Sequence, residues 1–242
     1  MAQNTFCRRE KKLLIDQELM PVLQREMEKY MVPDKYNVDG QPYAICNLYF
    51  DDDADSIIRH SISKPTFKEK MRLRSYGTPD MDTTVFLEIK RKCYRVGTKR
   101  RIKMKLCDAY RYLESGMPPC DLSPLDTQIL REIDQYRAVH PVYPKVYISY
   151  MRNAYFGKDD PSFRVTFDRE ILTRREDVAL EKGRYGTSLL PDGKVLLEIK
   201  FAGAVPLWFA RLMSQHHLSF GSYSKYGNEY KQSHPRPIPP NI

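Results

Sequence analysis

Through most of the β-rich stretches of this chain a charged residue alternates with an apolar one, and one such tetrad occurs twice, as Leu87-Glu88-Ile89-Lys90 and Leu197-Glu198-Ile199-Lys200. Successive side chains of a strand point to opposite faces. Glu88 and Lys90 therefore share one face and Leu87 and Ile89 the other, and Glu198, Lys200, Leu197 and Ile199 divide in the same way. The same parity gathers Arg8, Glu10 and Lys12; Arg72 and Arg74; Lys92; Arg152; and Arg164. A fold made of such strands must bury one face of each and find a use for a cationic opposite face. Side chains two apart on a strand lie about 7 Å apart. At an effective dielectric of about 20, two like charges at that distance repel by about 2 kcal/mol. A closed array of these strands is costly unless an anion, or water and salt, fills the space between them.

A solvated sheet face explains any one of these strands. It explains the set less well, because a solvated face mixes Thr, Ser and Gln with its charges, whereas this set is dominated by Arg and Lys with a Glu on several strands. Cations with interspersed carboxylates suit a polyphosphate bridged by a divalent metal: Arg and Lys neutralise the oxygens and Glu holds a hard cation. Convergence on one ligand calls for a barrel. The formal net charge of +9 agrees with an acidic partner without choosing among nucleic acid, a membrane surface and phosphate.

The order of elements points to α+β with an antiparallel sheet. About eight strands are interrupted by helices and do not alternate with them regularly. A helix is expected from an Asp16 cap to about Met31, others over Cys107–Glu114, Ser123–Val139 and Val205–His217, and a closing strand-like segment in "FGSYSKYGNEY". One domain is expected over residues 1–232, followed by a Pro-rich tail at 233–242. The five cysteines, widely spaced and without a Cys-x-x-Cys pair, favour reduced thiols and a cytoplasmic setting. No apolar run approaches a membrane span, and the N-terminus lacks the apolar centre of a secretion signal.

The segments "RREKKLLI", "NLYFDDD", "FKEKMRLRSYG", "VFLEIKRK", "SYMRNAYF", "FRVTFDREI", "LLEIKF" and "SYSKYG", in this order, resemble the VTC domain, the catalytic domain of the vacuolar transporter chaperone complex, within the triphosphate tunnel metalloenzyme (CYTH-like) superfamily. The resemblance implies an antiparallel eight-stranded β-barrel with flanking helices around a basic tunnel. It implies a metal-dependent polyphosphate polymerase that transfers the γ-phosphate of ATP to a growing chain, with Mn²⁺ or Mg²⁺ as cofactor. By position, Arg72 and Arg74 would grip phosphates, and Lys12, Lys90, Arg152, Arg164 and Lys200 would line the tunnel near the transferred group. Arg8, Ser224 and Lys225 would bind the phosphate chain, and Glu198 would hold the metal. Glu10 and Glu88 would assist the metal or hold neighbouring lysines, two roles left open. The first strand carries Glu10-x-Lys12 behind Arg8, not the Glu-x-Glu-x-Lys of the triphosphatase branch, and Ser222 stands where eukaryotic VTC members usually have a lysine. The resemblance also implies a soluble bacterial version without the regulatory and membrane domains of eukaryotic members.

Two alternatives remain open: a tripolyphosphatase or nucleoside triphosphatase on the same barrel, and a non-catalytic module binding polyphosphate or RNA. The seventeen tyrosines would serve RNA stacking, but packing in β-rich stretches accounts for many of them, so nucleic acid is not the expected partner. "KRKCYRVGTKRRIKMK" reads chiefly as a strand pair with a solvated basic face, with Lys99, Arg100 or Arg101 as lesser candidates for the ligand. His216-His217 reads as a polar helix end, Asp51-Asp52-Asp53 lacks the Gly and Glu of a calcium loop, and Trp208 reads as helix packing. No Gly-x-x-x-x-Gly-Lys loop is present.

Overall fold

The structure is a computed structural model describing residues 5, 6, 8–94 and 96–235, with the side chains of residues 5, 6 and 8 outside the description. The expectations for the Arg8 side chain and for residues 236–242 of the tail therefore lie outside the described residues. Eleven strands form one antiparallel sheet. Eight are long: β2 (Arg8–Asp16), β4 (Tyr43–Asp51), β5 (Phe67–Tyr76), β6 (Thr84–Cys93), β7 (Val96–Lys105), β8 (Tyr143–Gly157), β9 (Arg164–Arg174) and β11 (Lys194–Ala202). Three are short: β1 (Thr5–Phe6), β3 (Met31–Pro33) and β10 (Thr187–Ser188).

The strand order is β1-β7-β6-β5-β4-β8-β9-β11-β2, with β3 and β10 attached to β8 and β9. Thr5 and Phe6 pair with β7, whereas Arg8 to Asp16 pair with β11. One continuous stretch of chain thus borders both ends of the order, and the sheet wraps around an interior. Lys90 of β6 approaches Glu10 of β2 to 3.9 Å across that interior.

The alternating pattern sorts the strands as expected. Leu87 and Ile89 of β6 join Met71, Leu73 and Ile102 beneath α3 (Leu106–Ser115) and α4 (Pro124–Val139). Leu197 and Ile199 of β11 join Leu13, Ile15, Val165 and Phe167 beneath α1 (Leu19–Met27) and α5 (Leu207–Gln215). Burial of each such Leu or Ile stabilises the fold by about 1.5–3 kcal/mol relative to exposure, which fixes the register and turns the charged parity inward. Ser123 caps α4 by accepting from the Asp126 N–H, with Pro124 in the first turn, as the sequence indicates.

Two expectations are corrected. Asp16 ends β2 and pairs with Lys194, so it is not a helix cap; α1 starts at Leu19 and ends at Met27, and Met31 opens β3. The closing segment is a helix, α6 (Lys225–Ser233), with Gly221 making a single bridge to Lys12. Its capping bond runs from the Gly227 N–H to the Ser224 hydroxyl, and Tyr223, Tyr226 and Tyr230 are spaced at a helical period against the same apolar cluster.

Candidate phosphate-binding site

Strand parity sends three groups of charged side chains into the interior. In the first, β2 and β11 lie side by side, and Glu198 is opposite Lys12 while Lys200 is opposite Glu10. The Lys12 ammonium sits 2.8 Å from Glu10 and 3.4 Å from Glu198, and Lys200 reaches Glu198 at 2.5 Å. Burial pushes the Glu198 carboxyl up, but Lys200 and Lys12 overcome this and hold it well below the usual carboxylate range. Burial and the Glu198 charge push Glu10 up as well, yet Lys12, Lys200 and Lys90 bring it down to about 2. Lys90 keeps 57% of its side chain exposed although it faces inward, so solvent enters the space these groups share.

The second group lies on β5, β6 and β7. Glu88 is only 1% exposed and is held by Arg72 through Nε at 2.7 Å and Nη2 at 2.6 Å, and by Lys99 at 2.6 Å, with Arg101 at 3.9 Å. Burial opposes its ionisation, and Arg72, Arg74 and Lys99 hold it far below its ordinary value. Along β5 the inward parity reads Lys68, Lys70, Arg72, Arg74, and the β6 residues opposite Lys68 and Lys70 are Lys92 and Lys90. Like charges directly opposite each other destabilise a sheet. Burial, with repulsion from Lys68, Lys90 and Lys12, lowers Lys70 to about 8, and burial lowers Lys99 to about 8 against the pull of Glu88.

The third group links β8, β9 and α6. Asp168, 0% exposed, accepts both Arg152 Nε at 2.6 Å and Nη2 at 2.7 Å, and it accepts Lys225 Nζ at 2.5 Å. Burial raises the Asp168 carboxyl, but Arg152 and Lys225 outweigh it and leave it lowered. Arg74 joins this group to the second, donating to Asn47 at 2.8 Å and to the Tyr150 hydroxyl at 3.3 Å. The Tyr150 phenol is raised by burial and lowered by Arg74, Arg152 and Lys225, with a net result of about 8.

The structure thus brings Lys12, Arg72, Arg74, Lys90, Arg152, Lys200 and Lys225 to one interior. Arg164 sits at its edge, donating to Asp34 at 3.2 Å. The Ser224 hydroxyl caps α6. Glu10 and Glu198 flank the same ammonium, whereas Glu88 stands apart among Arg72 and Lys99; among the described residues, no three His, Cys, Asp or Glu side chains form a group suited to a metal ion. Glu10 and Glu198 are nevertheless oxygen donors about a shared cation position, and Mg²⁺-type ions are commonly held by one or two carboxylates with substrate phosphates supplying further oxygens. The residues fit that arrangement and not an all-protein cage.

Sequence reasoning missed Asp168, Lys70 and Tyr150 as interior residues and left the register of the basic hairpin open: Lys99 and Arg101 face Glu88, while Arg100 turns outward to Glu132. Parity held the signal, since Asp168 lies two and four residues from Thr166 and Arg164 and Lys70 precedes Arg72 by two. The other readings hold: Asp51 accepts from the Ile57 and Ile58 N–H groups, His216 pairs with Glu26, and Trp208 stacks on Tyr30.

The ten cations Lys12, Lys70, Arg72, Arg74, Lys90, Lys99, Arg101, Arg152, Lys200 and Lys225 outnumber the four carboxylates Glu10, Glu88, Asp168 and Glu198 set among them. Over residues 7–234 the sequence matches the model of the VTC domain. The chain belongs to the VTC domain family. Its fold is shared by a Bacillus halodurans protein described as a candidate adenylate cyclase, with a TM-score of 0.56 at 12% identity over 92% of this chain and 96% of that one. It is also shared by a Hippeastrum candidate adenylyl cyclase described as having a dominant triphosphatase activity, with a TM-score of 0.51 at 13% identity over 94% and 97%. Both likenesses concern the fold. No curated protein sequence matches it. Among the described residues no helix is long and apolar enough to cross a membrane.

Proposed function

We propose that this VTC domain is an ATP-dependent polyphosphate polymerase, a single domain extending to about residue 232 that acts in the cytoplasm. The observation that carries this reading is the length of the cation track. Lys68, Lys70, Arg72 and Arg74 follow one face of β5 over about 20 Å at the usual rise per residue. That is longer than three linked phosphates, and Lys92 and Lys90 flank its far half on the neighbouring strand. A site meant only for a triphosphate has no use for cations at its far end, where like charges face each other at a cost.

In this reading Arg72 and Arg74 hold the nucleotide phosphates, and Lys12, Lys90 and Lys200 surround the transferred group. Phosphoryl transfer depends mainly on positioning and on neutralising charge over the phosphate oxygens. A divalent ion held by Glu198 and Glu10 would neutralise phosphate oxygens further and help orient them. Lys12 then exchanges its carboxylate partners for phosphate oxygens. The acceptor is the end of a phosphate chain, already anionic at neutral pH, so no strong general base is required. Arg152 and Lys225, oriented by Asp168, add positive charge to the wall that faces the nucleotide phosphates.

Calorimetric titration with linear polyphosphates of increasing length tests the track. Affinity rising beyond tripolyphosphate supports it, and a plateau at tripolyphosphate supports the second reading, a triphosphatase. That second reading draws on the Hippeastrum neighbour, whose similarity at 13% identity concerns the fold.

A further inference from the structure

We infer that an aromatic cluster at one mouth of the tunnel is the nucleoside subsite, taking a purine base by stacking; this rests on the reading of the interior as a triphosphate site. Continuing past Arg74, the inward face of β5 ends in Tyr76, and Phe86 of β6 lies opposite Arg74. Tyr43 of β4 lies opposite Arg152. These side chains meet: Tyr76 is 5.7 Å from Phe86 edge-on and 6.1 Å from Tyr43. Tyr36, from the loop before β4, stacks on Tyr76 at 5.1 Å with 12° between the rings and tilts against Tyr43 at 5.5 Å.

Packing alone would bury such a cluster. Tyr36 instead keeps 44% of its surface exposed, so the cluster presents aromatic surface to solvent. Cations border it: Arg101 lies 4.7 Å over the Phe86 ring, and Lys35 Nζ lies 5.1 Å from the Tyr36 centroid. Asp34, at the same mouth, accepts from the Tyr43 hydroxyl at 3.4 Å and from Arg164.

The two ends of the interior therefore differ in chemistry. Toward Lys68 and Lys92 the inward positions of β5 and β6 are lysines; toward Tyr76 and Phe86 they are aromatic. A nucleoside triphosphate has the same polarity, with a flat π-system at one end and phosphates at the other. The structure orients it with the base at Tyr36 and Tyr76, the α-phosphate nearest Arg74, and the γ-phosphate toward Lys90, Glu10 and Glu198. The phosphate chain then extends toward Lys68 and Lys92. Stacking without base-edge hydrogen bonds discriminates poorly between bases, so ATP and GTP should bind alike.

The test compares ATP with inorganic tripolyphosphate, each with Mn²⁺, by calorimetric titration of the full chain and its Tyr36 variants. Tyr36 lies on an exposed loop, and tripolyphosphate affinity reports an intact tunnel. Tyr36→Ala should weaken ATP about tenfold or more and leave tripolyphosphate unchanged, while Tyr36→Phe should retain ATP affinity. Equal losses for both ligands, or no loss for ATP, would overturn the subsite. Binding of tripolyphosphate but not ATP by the parent protein would also overturn it, while leaving the phosphate site standing. Binding of neither would remove the triphosphate reading and the subsite with it.

Discussion

Asp168 is the carboxylate on which Arg152 and Lys225 converge, and its replacement by Asn should destabilise the fold measurably. Its carboxylate is fully buried and neutralises two cations at once, Arg152 through a bidentate contact and Lys225 at 2.5 Å. Asp168→Asn keeps the shape and removes the charge, leaving two enclosed cations without the carboxylate they share. Breaking a buried ion pair by removing one partner costs about 3–5 kcal/mol. For a domain of this size each kcal/mol moves Tm by about 2–4 °C, so a fall of about 6–20 °C follows. Because total stability is about 5–15 kcal/mol, most of that range leaves a folded protein at room temperature. A second effect separates this ion pair from an ordinary structural one. An anion bound by Arg152 and Lys225 replaces the missing charge, so tripolyphosphate should raise the Tm of the variant more than that of the parent. Differential scanning calorimetry with and without tripolyphosphate measures both quantities. A variant melting within about 2 °C of the parent would refute the counter-ion role, and equal ligand-induced shifts would refute the phosphate role of its partners.

Glu198→Gln should reduce Mn²⁺-dependent release of ADP from ATP to the level seen without metal, with the circular dichroism spectrum retained; near-parental rates would remove the metal role. Lys70 and Lys99, both lowered to about 8, lose their protons in the folded state well before the unfolded chain does at about 10.5. Unfolded chains then bind more protons, so stability rises from about pH 8 to 10 while tripolyphosphate affinity falls over the same range; Lys70→Met should flatten the affinity profile. Glu10 behaves oppositely: its folded value of about 2 lies below the ordinary 4.5, so its stabilisation is complete above that value and is lost as pH falls toward 2. Ser224→Ala removes the acceptor of the Gly227 N–H and should cost about 1 kcal/mol, read as a loss of a few degrees in Tm.

The strand architecture was legible because burial reads strict alternation directly: Leu197 and Ile199 pack outward, and Glu198 and Lys200 face in. Partner choice was not legible. Arg152 and Asp168 meet only because β8 and β9 pair across a register shift near Ser149, and nothing local marks that shift. The registry of the basic hairpin was open by a residue, which is enough to exchange Arg100 for Arg101 between the outer and inner faces. The α6 sequence reads as a strand because its tyrosines and small polar residues suit β structure. Its helical state depends on the Ser224 cap and on Tyr226 finding Asp51, 175 residues away in sequence. Asp16 carried a cap signal that pairing of β2 with β11 through Lys194 overrode.

The most direct test of the central claim is the product of turnover. Purified protein incubated with ATP and Mn²⁺, with ADP, free phosphate and polyphosphate resolved, should yield ADP together with phosphate chains longer than the three phosphates of its substrate. ADP with free phosphate alone would contradict the polymerase and identify the tunnel as that of a triphosphatase.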